Sequence, residues 1–343
     1  MQPPKKKRRA VRILLRVLCV LLALILLTAA ALFVIPLTET VSVKSAEGSA
    51  DWMAGLDDGL LLNELVLPGT HDSATQYSQL AFITKCQALS IQEQLEAGYR
   101  YLDIRLGFGD PAEDGSPRLV LMHGFTKCRK GPMPWDDLLY LDDVLDQCTA
   151  FLKEHPGETV ILNVKYEHVT EPVEVFASCL ISGELTARGD AVLLTDRIPA
   201  LGEARGKLVL MRRFADRAAL GAASGIPACW PEQDGHDDVS KHIELFRQDG
   251  YRLWVQDRFC YGAEDKWTAF QAGLKESAIE PEDLSIHFLS TKGTAKYGHP
   301  YYYAKSLNPR LLELPKEELR GWIVVDFGDA ELAEHIWSAN YRN

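Results

Sequence analysis

Eight short apolar runs, most of them ending in polar or charged residues, restrict the fold of this chain more than any other feature. They are ELVL (64–67), YRYLDIRL (99–106), RLVLMHG (118–124), TVILNVKYE (159–167), KLVLMRRF (207–214), RLWVQDRF (252–259), LSIHFLS (284–290) and GWIVVDFG (321–328). They are rich in Val, Ile and Leu, as strands covered on both faces should be. Helical patterns lie between several of them. Residues 136–154 carry apolar side chains at 138, 141, 144, 145, 148, 151 and 152, a helical stripe, and 171–181, 262–278 and 330–341 are similar. Strands alternating with helices predict an α/β fold, an irregular TIM-type β/α barrel over residues 59–343. The irregularity falls between the second and third runs. Only GFGDPAEDGSPR (107–118) joins them, too short and too rich in Gly and Pro for a crossover helix.

The N-terminus sets the second constraint. Residues 1–16 hold seven cations, and Val17 to Leu37 is a run of 21 residues without charge. At about 1.5 Å per residue such a run crosses a hydrocarbon core of about 30 Å. The upstream cations predict a cytoplasmic basic segment (1–16), a signal anchor (17–37), a polar linker (38–58) and an extracytoplasmic barrel. A cleaved signal peptide is the competing reading, since residues 28–31 are small. Outside the anchor region the chain has 30 cations against 48 acids, a net of −18. That excludes a general nucleic-acid binder, whose footprint is a basic face. Six cysteines beyond the anchor (Cys86, Cys128, Cys148, Cys179, Cys229, Cys260) permit disulfides without identifying them, and none has C-x-x-C spacing.

In a β/α barrel the active site lies at the C-terminal strand ends. Here those ends carry His71 and Asp72, Asp103 and Arg105, His123, Lys165 and Glu167, Arg213, Asp257 and Arg258, and Asp326. Core packing does not account for such a set, because charged groups are seldom buried unpaired. Two imidazoles beside a guanidinium suit phosphodiester cleavage. One takes the proton of an attacking hydroxyl, the other protonates the leaving oxygen, and the cation stabilises the phosphoryl oxygens. A carboxylate behind the first His fixes its tautomer. Metal chemistry needs several carboxylates on one centre, and here an Arg occupies the middle of the cluster.

LPGTHDS, LDIRL, LMHG and FLKEHPGETVILNVKYE, followed in order by GKLVLMRRF, WVQDRF, HPYYYAKSLNP and GWIVVDF, resemble the bacterial phosphatidylinositol-specific phospholipases C over about residues 60–340. The resemblance implies a distorted barrel and intramolecular attack of the inositol 2-hydroxyl on phosphorus. The products are diacylglycerol and inositol 1,2-cyclic phosphate, and the lipid is phosphatidylinositol or a glycosylated inositol lipid. It implies His71 as general base paired with Asp326, and His123 as general acid assisted by Asp72. It implies phosphate binding by Arg105 with Asp103 orienting its neighbours, and inositol contacts from Lys165, Arg213 and Asp257. The family's stacking Tyr is Phe259 here, with Tyr261 as a possible substitute. Calcium-dependent relatives have Asn after the first His and acids in the second-strand motif. Asp72 and Arg105 therefore imply the metal-independent branch, with no cofactor. Two alternatives stay open at this point: a metal-dependent glycerophosphodiesterase-like barrel and an inactive surface binding barrel. The tyrosines at 301–303 either rim the pocket or pack, and Trp135 and Trp230 fall on loops. The remaining histidines read as structural or surface residues.

Overall fold

The computed structural model describes residues 5–214, 224–233, 243–248, 250–276, 280, 283–295 and 298–341. Twelve strands form one curled sheet among these residues. They are β1 (Leu67–Thr70), β2 (Tyr101–Phe108), β3 (Leu119–His123), β4 (Thr126–Lys127), β5 (Val160–His168), β6 (Val192–Leu193), β7 (Leu208–Arg212), β8 (Ile226–Pro227), β9 (Glu244–Gln248), β10 (Tyr251–Gln256), β11 (Asp283–Phe288) and β12 (Trp322–Val325). The order is β6-β7-β5-β2-β1-β12-β11-β10-β9. Every neighbouring pair from β6 through β10 is parallel, and β9 runs antiparallel on the β10 edge. The helices are α1 (Lys5–Thr38), α2 (Ala81–Thr84), α3 (Ile91–Ala97), α4 (Leu141–Glu154), α5 (Val173–Ala177), α6 (Leu201–Ala204), α7 (Ala263–Glu276), α8 (Pro300–Leu312) and α9 (Ala330–Trp337).

Why the runs are apolar throughout is visible on β2. Leu102, Ile104 and Leu106 point outward and pack with Val144, Leu145 and Phe151 of α4. Tyr101 points inward, into a barrel core with Ile161, Met211, Val255, Ile286, Phe288 and Trp322. Asp103 and Arg105 continue that inward row toward the mouth, because side chains alternate along a strand. The barrel is thus apolar at its base and charged at its top. Close packing at the base dictates one residue type outright. A Cβ on Gly69 of β1 would sit 2.8 Å from the Tyr101 ring, a contact that real side chains do not make.

The third run departs from the parallel expectation. β3 turns back and pairs antiparallel with β2, Leu119 opposite Phe108 and Leu121 opposite Leu106. The Gly- and Pro-rich connection is a hairpin loop, and the strand descends toward the barrel instead of rising through it. The first strand also begins later than the ELVL run. Four helices, α2, α3, α6 and α8, have no counterpart among the predicted stripes. α3 is announced by Ser90 and Glu93, which cap each other: Glu93 N–H donates to Ser90 Oγ at 3.2 Å and Ser90 N–H to Glu93 Oε2 at 2.7 Å. α8 opens on Pro300 at its first turn, where the missing N–H costs no hydrogen bond.

Before the barrel, α1 is the one described helix long and apolar enough to cross a membrane, over Arg9–Thr38. Residues between it and β1 lie partly in the core. Trp52 and Met53 are buried, Trp52 stacks on Trp337 at 6.0 Å, and Met53 N–H donates to Glu158 at 2.8 Å. No disulfide joins the cysteines among the described residues.

Candidate active site

Strand register brings the first pair together. Thr70 of β1 lies opposite Val325 of β12, and His71 N–H extends that ladder to Val325 O at 2.9 Å. The next residue of each strand is then His71 and Asp326, and their side chains meet, Nδ1 to Oδ1, at 2.7 Å. Gln87 ties both strand ends by donating to His71 O at 2.7 Å and to Val325 O at 2.9 Å. The residue after each partner, Asp72 at φ 45° and Phe327 at φ 46°, adopts the left-handed conformation that only glycine takes freely. Such strain costs on the order of 1 kcal/mol per residue and persists where surrounding contacts over-determine it. Here Asp72 N–H donates to Asp103 Oδ2 at 3.1 Å and Phe327 N–H to Cys86 O at 2.7 Å.

His123 arrives from the opposite side on the descending β3. Its Nδ1 lies 2.6 Å from Asp72 Oδ2. Asp72 is buried and His123 partly exposed, so the carboxylate stands behind the ring and leaves Nε2 for the pocket. Arg105 lies between the two pairs. Its Nε donates to Asp103 Oδ2 at 3.0 Å, Nη1 to Glu167 Oε1 at 3.3 Å and Nη2 to His71 Nε2 at 2.8 Å. A guanidinium only donates, so that last contact requires a lone pair on Nε2 and places the ring proton on Nδ1, facing Asp326.

The charges of this cluster act on one another. Burial and the Arg105 guanidinium work to lower the His71 pKa, but the charge and hydrogen bond of Asp326 together with the Asp103 charge prevail, and the net shift is upward from 6.5. Burial opposes the charged forms of Asp103 and Glu167 as well. The Arg105 guanidinium reverses this, bringing Asp103 down to about 2 and Glu167 well below the carboxylate range. Both acids therefore stay ionised as fixed counter-charges. One consequence is measurable. A base that must be neutral to accept a proton sets the acid limb of kcat/KM. We expect that limb above pH 6.5, with Asp326→Asn moving it to lower pH because the group that stabilises the imidazolium is gone; a limb unmoved in a pH–rate profile of the variant would detach it from His71.

These groups open onto a cavity of about 400 Å³ lined also by Lys165, Arg213, Asp257 and Phe259, within the usual size of a small-ligand site. Lys165 bridges Glu167 at 2.8 Å and Glu232 at 2.7 Å. Arg213 Nη2 donates to Asp257 Oδ2 at 3.0 Å, and Trp230 Nε1 donates to the same oxygen at 3.2 Å while its ring lies 3.9 Å from the guanidinium. Phe259 faces the cavity. Tyr261 is buried outside that lining, so of these two rings Phe259 is the one that borders the cavity, as Phe125 also does.

All ten residues singled out from the sequence thus gather at one mouth, either lining the cavity or, for Asp72 and Asp103, backing it. Arg258, grouped with them at the strand ends, does not: it pairs with Glu244 on β9. Glu167 stands among the strand-end residues without a role of its own, and nothing in the sequence marks Glu232, Trp230 or Cys86 as part of the mouth. Glu167 had a usable signal, two residues after Lys165 on the same strand face. Glu232 and Trp230 sit on a loop, where no periodicity marks them. His287 is buried among the barrel strands, and burial brings its pKa down to about 3. His236 and His242 lie outside the described residues. Among the described residues, two groups have ligand atoms close enough to share a metal ion: His71, Cys86 and Asp326, and Asp72, Cys86 and His123. Burial pushes the Cys86 thiol well above its ordinary pKa. The donors are imidazole, thiol and single carboxylates, unlike the oxygen cage that calcium takes.

The fold is shared with solved bacterial enzymes. It aligns with phosphatidylinositol-specific phospholipase C of Staphylococcus aureus at a TM-score of 0.67, 23% identity, over 84% of this chain and 97% of that one. The corresponding enzyme of Listeria monocytogenes aligns at 0.60 and 22%, over 85% and 98%. In sequence, residues 68–214 match the phosphatidylinositol-specific phospholipase C X domain. The chain is 26% identical over 324 residues to the 1-phosphatidylinositol phosphodiesterase of L. monocytogenes, 88% of each chain. It is 24% identical to that of S. aureus, over 81% of this chain and 88% of the other. The chain thus carries the phosphatidylinositol-specific phospholipase C X domain over residues 68–214 and is similar along most of its length to the bacterial phosphatidylinositol-specific phospholipases C.

Proposed function

We propose that this protein is a membrane-anchored enzyme that cleaves phosphatidylinositol to diacylglycerol and inositol 1,2-cyclic phosphate. The observation that carries this reading is a pair of separate His–carboxylate couples, 2.7 Å and 2.6 Å across, opening with one guanidinium onto a single cavity. His71 Nε2 takes the proton of the inositol 2-hydroxyl as that oxygen bonds to phosphorus. The bond from phosphorus to the glycerol oxygen breaks, and His123 delivers a proton to that oxygen. Arg105 turns its Nη2 from His71 to the phosphoryl oxygens, still oriented by Asp103 and Glu167. Lys165, Arg213 and Asp257 supply donors and acceptors for ring hydroxyls, and Phe259 supplies an apolar face. The curated relatives named as 1-phosphatidylinositol phosphodiesterases support the same substrate.

Anchoring rests on α1, which is exposed along its apolar length and carries its cations at the N-terminal end. By the positive-inside rule the barrel is extracytoplasmic. The test of the activity is phosphorus NMR of the full chain in detergent micelles holding phosphatidylinositol or phosphatidylcholine. We expect a cyclic phosphodiester resonance from the inositol lipid and a strong preference for it. Equal turnover of the choline lipid removes the basis for the inositol contacts.

A further inference from the structure

The end of the anchor helix is fastened to the wall of the catalytic pocket. From Arg9 to Ile35, Ala29 apart, α1 is exposed; Pro36 in its last turn is buried, and Glu39 just beyond it is buried too. Lys85, itself buried, donates from Nζ to Pro36 O at 2.7 Å and to Glu39 O at 3.0 Å. Those carbonyls belong to a helix end whose acceptors lack intrahelical partners and carry partial negative charge, so an ammonium there acts as a C-cap. The Glu39 carboxylate lies 3.1 Å from His299 Nε2. His299 Nδ1 is 2.7 Å from Phe82 O, and the ring stacks on Phe82 at 4.3 Å. The hydrogen bond to Glu39 raises the His299 pKa, which favours a charged pair. The chain neighbours of these clamp residues, Ile83, Thr84, Gly298 and Pro300, line the cavity.

Distance along the chain turns this contact into a constraint on orientation. The charge-free run ends at Leu37, and its length of about 31 Å matches the hydrocarbon core. Glu39, two residues later, is therefore at headgroup level, and no flexible spacer separates it from the pocket wall. Exposed apolar side chains mark the same end of the barrel: Leu80, Phe125 and Tyr302 are 52%, 66% and 67% exposed. Resting on the proposed inositol-lipid activity, we infer that the contacts of Glu39 and Lys85 with the helix end and with His299 hold the catalytic mouth down on the leaflet that contains the chain's own anchor, so that the enzyme draws its lipid from its own membrane.

The test uses the full chain reconstituted in phosphatidylcholine vesicles containing phosphatidylinositol. A fluorescent residue is incorporated at position 125, on the mouth, or at position 57, at the opposite end of the barrel, and quenched by headgroup-labelled lipid. We expect strong quenching at 125 and little at 57. Inserting a flexible Gly/Ser segment of about ten residues between Thr38 and Glu39 leaves every clamp side chain in place and frees the helix end. Quenching at 125 should then fall to the level at 57, and turnover of vesicle lipid should drop about tenfold through lost orientation. Hydrolysis of water-soluble inositol cyclic phosphate should be unchanged. Lys85→Met should act in the same direction. Equal quenching at the two positions in the unaltered chain, or a pattern indifferent to the insertion, overturns the orientation. The expected quenching without turnover of any inositol substrate sustains the orientation and overturns the phospholipase reading.

Discussion

His123→Ala and His71→Ala should each lower phosphatidylinositol turnover by roughly 10²–10⁴, the scale of a general acid–base contribution. The two losses should differ in kind. Asp72 lies behind His123 at 2.6 Å and Asp326 behind His71 at 2.7 Å, and the proposed mechanism uses the two rings at opposite ends of the reaction. A substrate whose leaving group is strongly acidic departs without protonation. It should recover much of its rate in His123→Ala and little in His71→Ala, because removal of the 2-hydroxyl proton is still required. Both rings are partly exposed at the mouth, so water can occupy the space of either and thermal unfolding should shift little. A reversed pattern, with His71→Ala rescued by the better leaving group, exchanges the two roles. Normal cleavage of natural lipid by either variant removes that residue from the chemistry.

Arg105→Lys should be impaired by roughly 10²–10³, as for loss of one oriented charge-stabilising donor, although the charge is conserved. The guanidinium makes three directed contacts, to Asp103, Glu167 and His71. A single ammonium cannot satisfy both acids and still present parallel donors to phosphoryl oxygens. Asp103 and Glu167 would then face the substrate with less of their charge offset. By the same balance of charge, activity should survive excess chelator and gain nothing from calcium, since the Arg105 guanidinium already supplies a fixed positive charge for the phosphoryl oxygens. Loss of activity on chelation and its return with calcium would reassign the charge-stabilising role to a metal.

Much of the barrel and of its mouth is legible in the sequence alone. β2 shows why. Its run YLDIRL is apolar at every outward position and turns from Tyr101 to Asp103 and Arg105 inward, so one stretch of sequence reports a strand, its burial on both faces and the level at which chemistry begins. The same holds for β5, with Asn163, Lys165 and Glu167 in one row. The long charge-free helix was equally plain, since composition and length alone decide whether a segment can cross a bilayer.

What local pattern could not convey was direction and neighbourhood. The LVLMH run reads identically whether the strand rises or descends. Only its pairing with β2 shows that it comes back from above and lowers His123 onto Asp72. Trp230 and Glu232 lie on a loop without periodicity, and their place beside Arg213, Asp257 and Lys165 depends on how the loop folds over the mouth. Glu39, Lys85 and His299 are far apart in sequence and individually unremarkable. They become a joint between anchor and pocket because the helix end and two rim segments are packed together in three dimensions. Residue types and their spacing along one strand are local properties, readable from the chain alone. Strand direction, loop placement and the partners of a buried charge belong to segments brought together from a distance, and they emerge only once the chain has folded.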